Sequence, residues 1–104
     1  MPNSLVTNLY PATTPGVSDQ TLTVDSTAGG VQFSAFNSLT KFVVLDVQVA
    51  DVRVTYDGSA PTTTNGHILF AGRCYTWSKA AAVAAKFIKD TTTNATIHAS
   101  EFTV

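Results

Sequence analysis

The sequence predicts an all-β chain: an antiparallel β-sandwich or jelly-roll-like domain with one short helix near the C-terminal strand and an extended N-terminal arm. Three observations predict it. Thr, Val and aromatic residues, which suit a pleated and half-buried ladder, are abundant, while the usual helix formers Leu, Glu and Lys are sparse. Apolar and polar residues alternate at period two through several segments after residue 20. Turn-forming Gly, Asn, Asp and Pro separate these segments into about seven or eight short strands spaced roughly ten residues apart.

A chain of 104 residues is long enough for one core. With a single cysteine, Cys74, it can form no internal disulfide, so the fold rests on packing.

Taken in order, residues 1–19 read as the arm. Pro2, Pro11 and Pro15 remove ladder donors and hold the preceding residues extended. Leu5, Val6, Leu9 and Tyr10 supply apolar anchors that a plain linker does not need, and fully extended the segment reaches about 60 Å. An edge strand on its own domain is the competing reading.

The domain proper spans residues 20–104. Leu22 and Val24 alternate with Thr21 and Thr23 in a first strand, which Ala28-Gly29-Gly30 ends. Val31, Phe33 and Ala35 mark a second. Over residues 41–49, Val43, Leu45, Val47 and Val49 share one face and Phe42, Val44, Asp46 and Gln48 the other, the doubly apolar first half placing this strand centrally. After a break at Ala50-Asp51, Val52, Val54 and Tyr56 oppose Arg53, Thr55 and Asp57, and the two strands are expected to pair as a hairpin.

Asp57-Gly58 and Asn65-Gly66 are turn signals on either side of Pro61, and residues 67–70 make a short strand. Ser78 caps an Ala-rich helix over residues 79–86, with Val83 and Phe87 expected on one core-facing side. The closing strand, residues 95–104, sets Ile97 and Ala99 against His98, Ser100 and Phe102 and is expected inside the sheet.

Charge narrows the partners. Charged residues are only 12% of the chain, the net charge is −1, and no run of Lys or Arg provides a footprint for nucleic acid. A charge-poor, near-neutral surface favours association, so a homo-oligomer is expected. The N-terminus has no basic head or apolar stretch, and no window approaches the roughly 18 apolar residues of a membrane span, so neither export nor embedding in a membrane is expected.

The chemistry-bearing residues are isolated. His67 and His98 have no second ligand at metal spacing and read as strand residues, so neither a metal nor a cofactor is expected. No nucleophile elbow is present, and Asp57-Gly58-Ser59 lacks the further ligands of a calcium loop. Cys74, with no adjacent Lys or His, reads as a packing residue. Tyr75 and Trp77 fill the core or form an exposed aromatic platform, with core filling the favoured role. Asn94-Ala95-Thr96 matches a glycosylation sequon, which means nothing without export. The chain is therefore expected not to be an enzyme.

The most distinctive stretch is Asp51-Val52-Arg53-Val54-Thr55-Tyr56-Asp57-Gly58-Ser59-Ala60-Pro61-Thr62-Thr63-Thr64-Asn65-Gly66-His67-Ile68-Leu69. It resembles a signature of small tailed-phage virion proteins, in which Val-Arg-x-Thr runs into Asp-Gly-x-x-Pro-Thr and then Gly-His-x-Leu. Ala71-Gly72, Lys86-Phe87-Ile88 and Ala95-Thr96-Ile97-His98 also look like that group, so the resemblance covers roughly the second half of the chain. Tyr56 departs from the usual small polar or Thr residue.

The resemblance implies a structural virion subunit, most simply a capsid decoration or cement protein. It would assemble in the host cytoplasm and bind other virion proteins, the major capsid protein above all, with symmetric trimers as one candidate arrangement. A tail or head–tail connector component is the neighbouring alternative. A similar Asp-Gly-x-x-Pro-Thr turn in immunoglobulin-like modules of chitin-degrading enzymes suggests a carbohydrate-binding accessory module instead. A short chain that starts at Met1 and lacks an export signal favours the particle subunit. In physical terms Arg53, Asp57, Gly58, Pro61 and Gly66 specify a rigid turn, with Arg53 and Asp57 on one strand face, and Leu5, Val6, Leu9 and Tyr10 are the candidate subunit contacts.

Overall fold

Period-two alternation designates the inward side chains, and those side chains build the interior. In the structure, a computed structural model that describes residues 15–103, the elements run β1 (Pro15–Val24), β2 (Phe42–Gln48), β3 (Val52–Thr55), β4 (His67–Leu69), β5 (Cys74–Ser78), α1 (Lys79–Ala84), β6 (Lys86–Lys89) and β7 (Ala95–Phe102). They form two antiparallel sheets, four-stranded β1-β7-β2-β5 and three-stranded β4-β3-β6.

Val24, Val43, Leu45, Val47, Ala95, Ile97 and Ala99 from the larger sheet share one buried core with Val52, Val54, Leu69 and Phe87 from the smaller. The fold is a β-sandwich. Each buried Val, Leu, Ile or Phe contributes about 1.5–3 kcal/mol, and with no disulfide this packing is what holds the sheets together.

The strand of residues 41–49 is central as expected: β2 lies between β7 and β5, in register Leu45↔Tyr75 on one side and Leu45↔Ala99 on the other. β7 is interior too, lying between β1 and β2. The first strand starts at Pro15, five residues ahead of Gln20, so residues 15–19 of the expected arm run in β1 beside β7. Leu5, Val6, Leu9 and Tyr10 lie outside the described residues.

Four expectations need correction. First, β2 and β3 do not form a hairpin but sit in opposite sheets. Both edges of β2 are occupied by β5 and β7, and the Ala50 N–H bonds to the Gln48 carbonyl in a γ-turn that throws the chain across. Val49 takes φ +78° there and its side chain is 70% exposed, so it leaves the inward face it was assigned.

Second, residues 31–35 form no strand. Val31 makes one bridge, exchanging bonds of 2.8 and 2.9 Å with Phe87, and Phe33 and Phe36 then pack on the core. The side-chain amide of Gln20 takes both the N–H and the C=O of Ser34, tying this segment to β1.

Third, the helix is only six residues long, and residues 86–89 form β6 instead. Ser78 does cap it, accepting the Ala81 N–H. Phe87 is fully buried from a strand while Val83 is half-exposed, so the two do not share a face. Fourth, Cys74 is exposed, because the inward positions of β5 are taken by Tyr75 and Trp77.

Candidate functional site in the loop joining β3 and β4

The signature residues converge on one loop, residues 56–66, whose conformation follows from short polar side chains bonding their own backbone. Asp57 Oδ1 accepts the Ser59 N–H at 3.0 Å and the Ser59 hydroxyl, while Gly58 supplies φ +88°. These two bonds hold the Asp57 carboxyl below its ordinary pKa. The Thr55 hydroxyl donates to the Ser59 carbonyl at 2.7 Å. Further along, Thr62 Oγ1 accepts the N–H of both Thr64 and Asn65, and Asn65 Nδ2 donates to the Ala60 carbonyl at 3.0 Å.

Both ends of the loop are pinned to the body. Arg53 meets Asp90 and the Gly66 carbonyl, not Asp57: Nε donates to Asp90 Oδ1 at 2.9 Å and Nη1 to Gly66 O at 3.0 Å. The β3–β6 register, Arg53↔Ile88, brings that aspartate alongside. Pro61 is fully buried against Gly30, where a Cβ would lie 2.9 Å from the Pro61 ring. Lys86 Nζ reaches the Gly58 carbonyl at 3.1 Å. Gly66 has φ +128°, and a Cβ there would sit 2.8 Å from the Val54 carbonyl oxygen, so the return of the loop admits only glycine without a backbone shift.

A line of rings runs from the core to this loop. Phe33 packs edge-on against Phe87 at 5.4 Å, Phe87 stacks on Trp77 at 6.0 Å, Trp77 meets Tyr56 edge-to-face at 5.3 Å, and Tyr56 lies 6.3 Å from the ring of His67. Partial burial of Tyr56, then the neighbouring Tyr75, raises its phenol pKa. Val54, Thr55, Tyr56, Asp57, Ser59, Asn65, Gly66 and His67 line a cleft of about 380 Å³ here. Tyr75 and Trp77 are half-buried against the core, the favoured of the two roles read for them from the sequence; the exposed ring is that of Tyr56, the residue that departs from the signature. The signal available was its position, one residue beyond β3 and directly before the turn.

A second feature lies at the other end of β3. The Gly72 N–H donates to the Val47 carbonyl at 2.7 Å and the Ala71 N–H to Asp51 Oδ1 at 2.8 Å, joining the β2–β3 and β4–β5 turns. These paired turns carry Val49 and Phe70, 70% and 48% exposed, with the Arg73 guanidinium 5.7 Å from the Phe70 ring centre.

The other titratable candidates stay apart from the loop. His98, on the outer face of β7, bonds the Thr21 hydroxyl at 3.1 Å and lies 3.6 Å from Asp19. The Cys74 thiol donates to Asp46 Oδ1 at 3.7 Å, and partial desolvation with the Asp46 charge pushes its pKa up, away from reactivity. Asn94 of the sequon is exposed, its Oδ1 accepting from Lys89 Nζ. Among the described residues no three His, Cys, Asp or Glu side chains gather as a metal site, and no helix is long and apolar enough to cross a membrane.

Comparison adds no relative: no protein-family model, curated protein or solved structure matches this chain.

Proposed function

We propose that the chain is a structural subunit of a tailed-phage particle that decorates or cements its capsid. The observation that carries this reading is the end formed by Val49, Phe70 and Arg73. An exposed β-branched residue held at positive φ, in a turn tied to the one that carries an exposed aromatic ring and an arginine, is a surface kept against the preferences of an isolated domain. The charge-poor composition and the phage-like loop signature favour the same role. A tail or connector position would use the same contacts.

The mechanism is burial of a small apolar surface on a neighbouring subunit, repeated at every copy of the particle. The test is to purify particles, establish the copy number of the chain, and measure rebinding of Val49→Asp and Phe70→Asp variants to particles stripped of it. Both variants are expected to keep the folded circular-dichroism spectrum and lose at least about tenfold in affinity. Absence of the chain from purified particles, or unchanged rebinding by both variants, overturns the proposal.

A further inference from the structure

We infer that the cleft beside Tyr56 binds a neutral sugar unit. Its walls combine two things a pyranose needs. The Tyr56 ring, 38% exposed and propped edge-to-face on Trp77, offers a fixed aromatic surface for the C–H face of the sugar. Around it stands an acceptor-rich rim. Among the described residues, Asp57 Oδ2, Asn65 Oδ1 and the Tyr56 hydroxyl have no protein partner, because Asp57 bonds through Oδ1 and Asn65 through Nδ2. Hydroxyl donors of a sugar match these acceptors, and the imidazole of His67, which also lines the cleft, can donate or accept.

Pre-organisation separates this cleft from an ordinary loop surface. The Asx turn at Asp57, the Thr62–Asn65 turn, the buried Pro61 and the ties from Arg53 and Lys86 hold the rim before any ligand arrives, so little ordering opposes binding. The Asp57 carboxylate makes the preference neutral, because an acidic sugar would set two negative charges against each other. The cleft lies at the end of β3 opposite Val49 and Phe70, so a subunit seated by those residues would turn it outward. The sugar chemistry stands whether or not that seating holds.

Trp77 is the only tryptophan of the chain and touches Tyr56, which makes its fluorescence a reporter of the cleft. The experiment titrates the full chain with the methyl glycosides of glucose, galactose, N-acetylglucosamine, rhamnose and glucuronic acid, and with choline chloride, following Trp77 emission and saturation-transfer NMR. At least one neutral glycoside is expected to bind with a Kd on the order of millimolar. Tyr56→Leu, which keeps apolar bulk against Trp77 but removes the aromatic face, should weaken binding at least about tenfold. Tyr56→Phe should stay within about threefold, and Asp57→Asn, which retains the Oδ1 acceptor of the turn, should lose affinity while remaining folded. The inference is overturned if no neutral glycoside binds, if the glucuronide or choline binds as well as the best neutral sugar, or if folded Tyr56→Leu and Asp57→Asn both bind like the unmodified chain. Loss of sugar binding in these variants with particle rebinding intact separates the cleft from the proposed structural role.

Discussion

Val49 shows how much a single position can diverge from its own preferences. A β-branched side chain at φ +78° is among the least favourable occupants of that conformation, which costs about 1–3 kcal/mol, and with its side chain 70% exposed Val49 recovers little by burial. Glycine has no Cβ and adopts positive φ freely, so Val49→Gly is expected to stabilise the domain by about 1 kcal/mol, read as a higher urea midpoint at unchanged m-value. If Val49 serves a contact, the same variant should bind particles more weakly, trading function for stability. An unchanged midpoint would mean the turn relaxes freely around valine. At this scale the turn residues were readable, since Asp57, Gly58, Pro61 and Gly66 carry local chemistry that acts within a few positions. The partner of Arg53 was not, because Asp90 lies 37 residues away and arrives only through sheet register.

Among the elements, residues 79–89 mark the boundary between what local propensity decides and what packing decides. The five alanines among residues 80–85 favour helix, yet Ala85 is already extended and Lys86–Lys89 is a strand. Phe87 explains the switch. From β6 it pairs with Val54, bridges Val31 and stacks on Trp77, contacts a continued helix could not make together. The inward faces of β2, β3 and β7 were legible because burial enforces period two along each strand; β6 was hidden because its four residues are too few to display a period beside an Ala-rich run. Phe87→Ala should therefore destabilise by about 3–5 kcal/mol, while Val83→Ser, at the exposed position of the helix, should stay within about 0.5 kcal/mol. Chemical denaturation of both variants checks the pair, and comparable losses in the two would restore a single core-facing helix.

At the scale of the whole molecule, the first and last strands of the described residues, β1 and β7, pair, so the sheet closes only when residues as distant as Thr21 and His98 meet. Such non-local pairing makes the order of strands unreadable from a pattern that reports only which face each residue takes. The same pattern nonetheless contains one anomaly. Glu101 continues the inward series Ala95, Ile97, Ala99 and is 2% exposed, a carboxyl group where alternation calls for an apolar side chain. Its Oε1 accepts the Asn37 N–H at 2.9 Å and the Thr40 hydroxyl at 2.7 Å, and Lys79 Nζ donates to the Asn37 carbonyl at 2.9 Å. Glu101 thus ties the corner that leads from the Val31 bridge on the smaller sheet into β2 of the larger, closing one end of the sandwich over its core. Because buried donors left without an acceptor are destabilising in their own right, Glu101→Ala is expected to lose about 3 kcal/mol, whereas Glu101→Gln, which keeps an Oε1 acceptor, should lose no more than about 1 kcal/mol. Urea unfolding followed by circular dichroism measures both. A loss under about 1 kcal/mol in the alanine variant would show that apolar packing alone closes this end, since surface-like substitutions fall in that range.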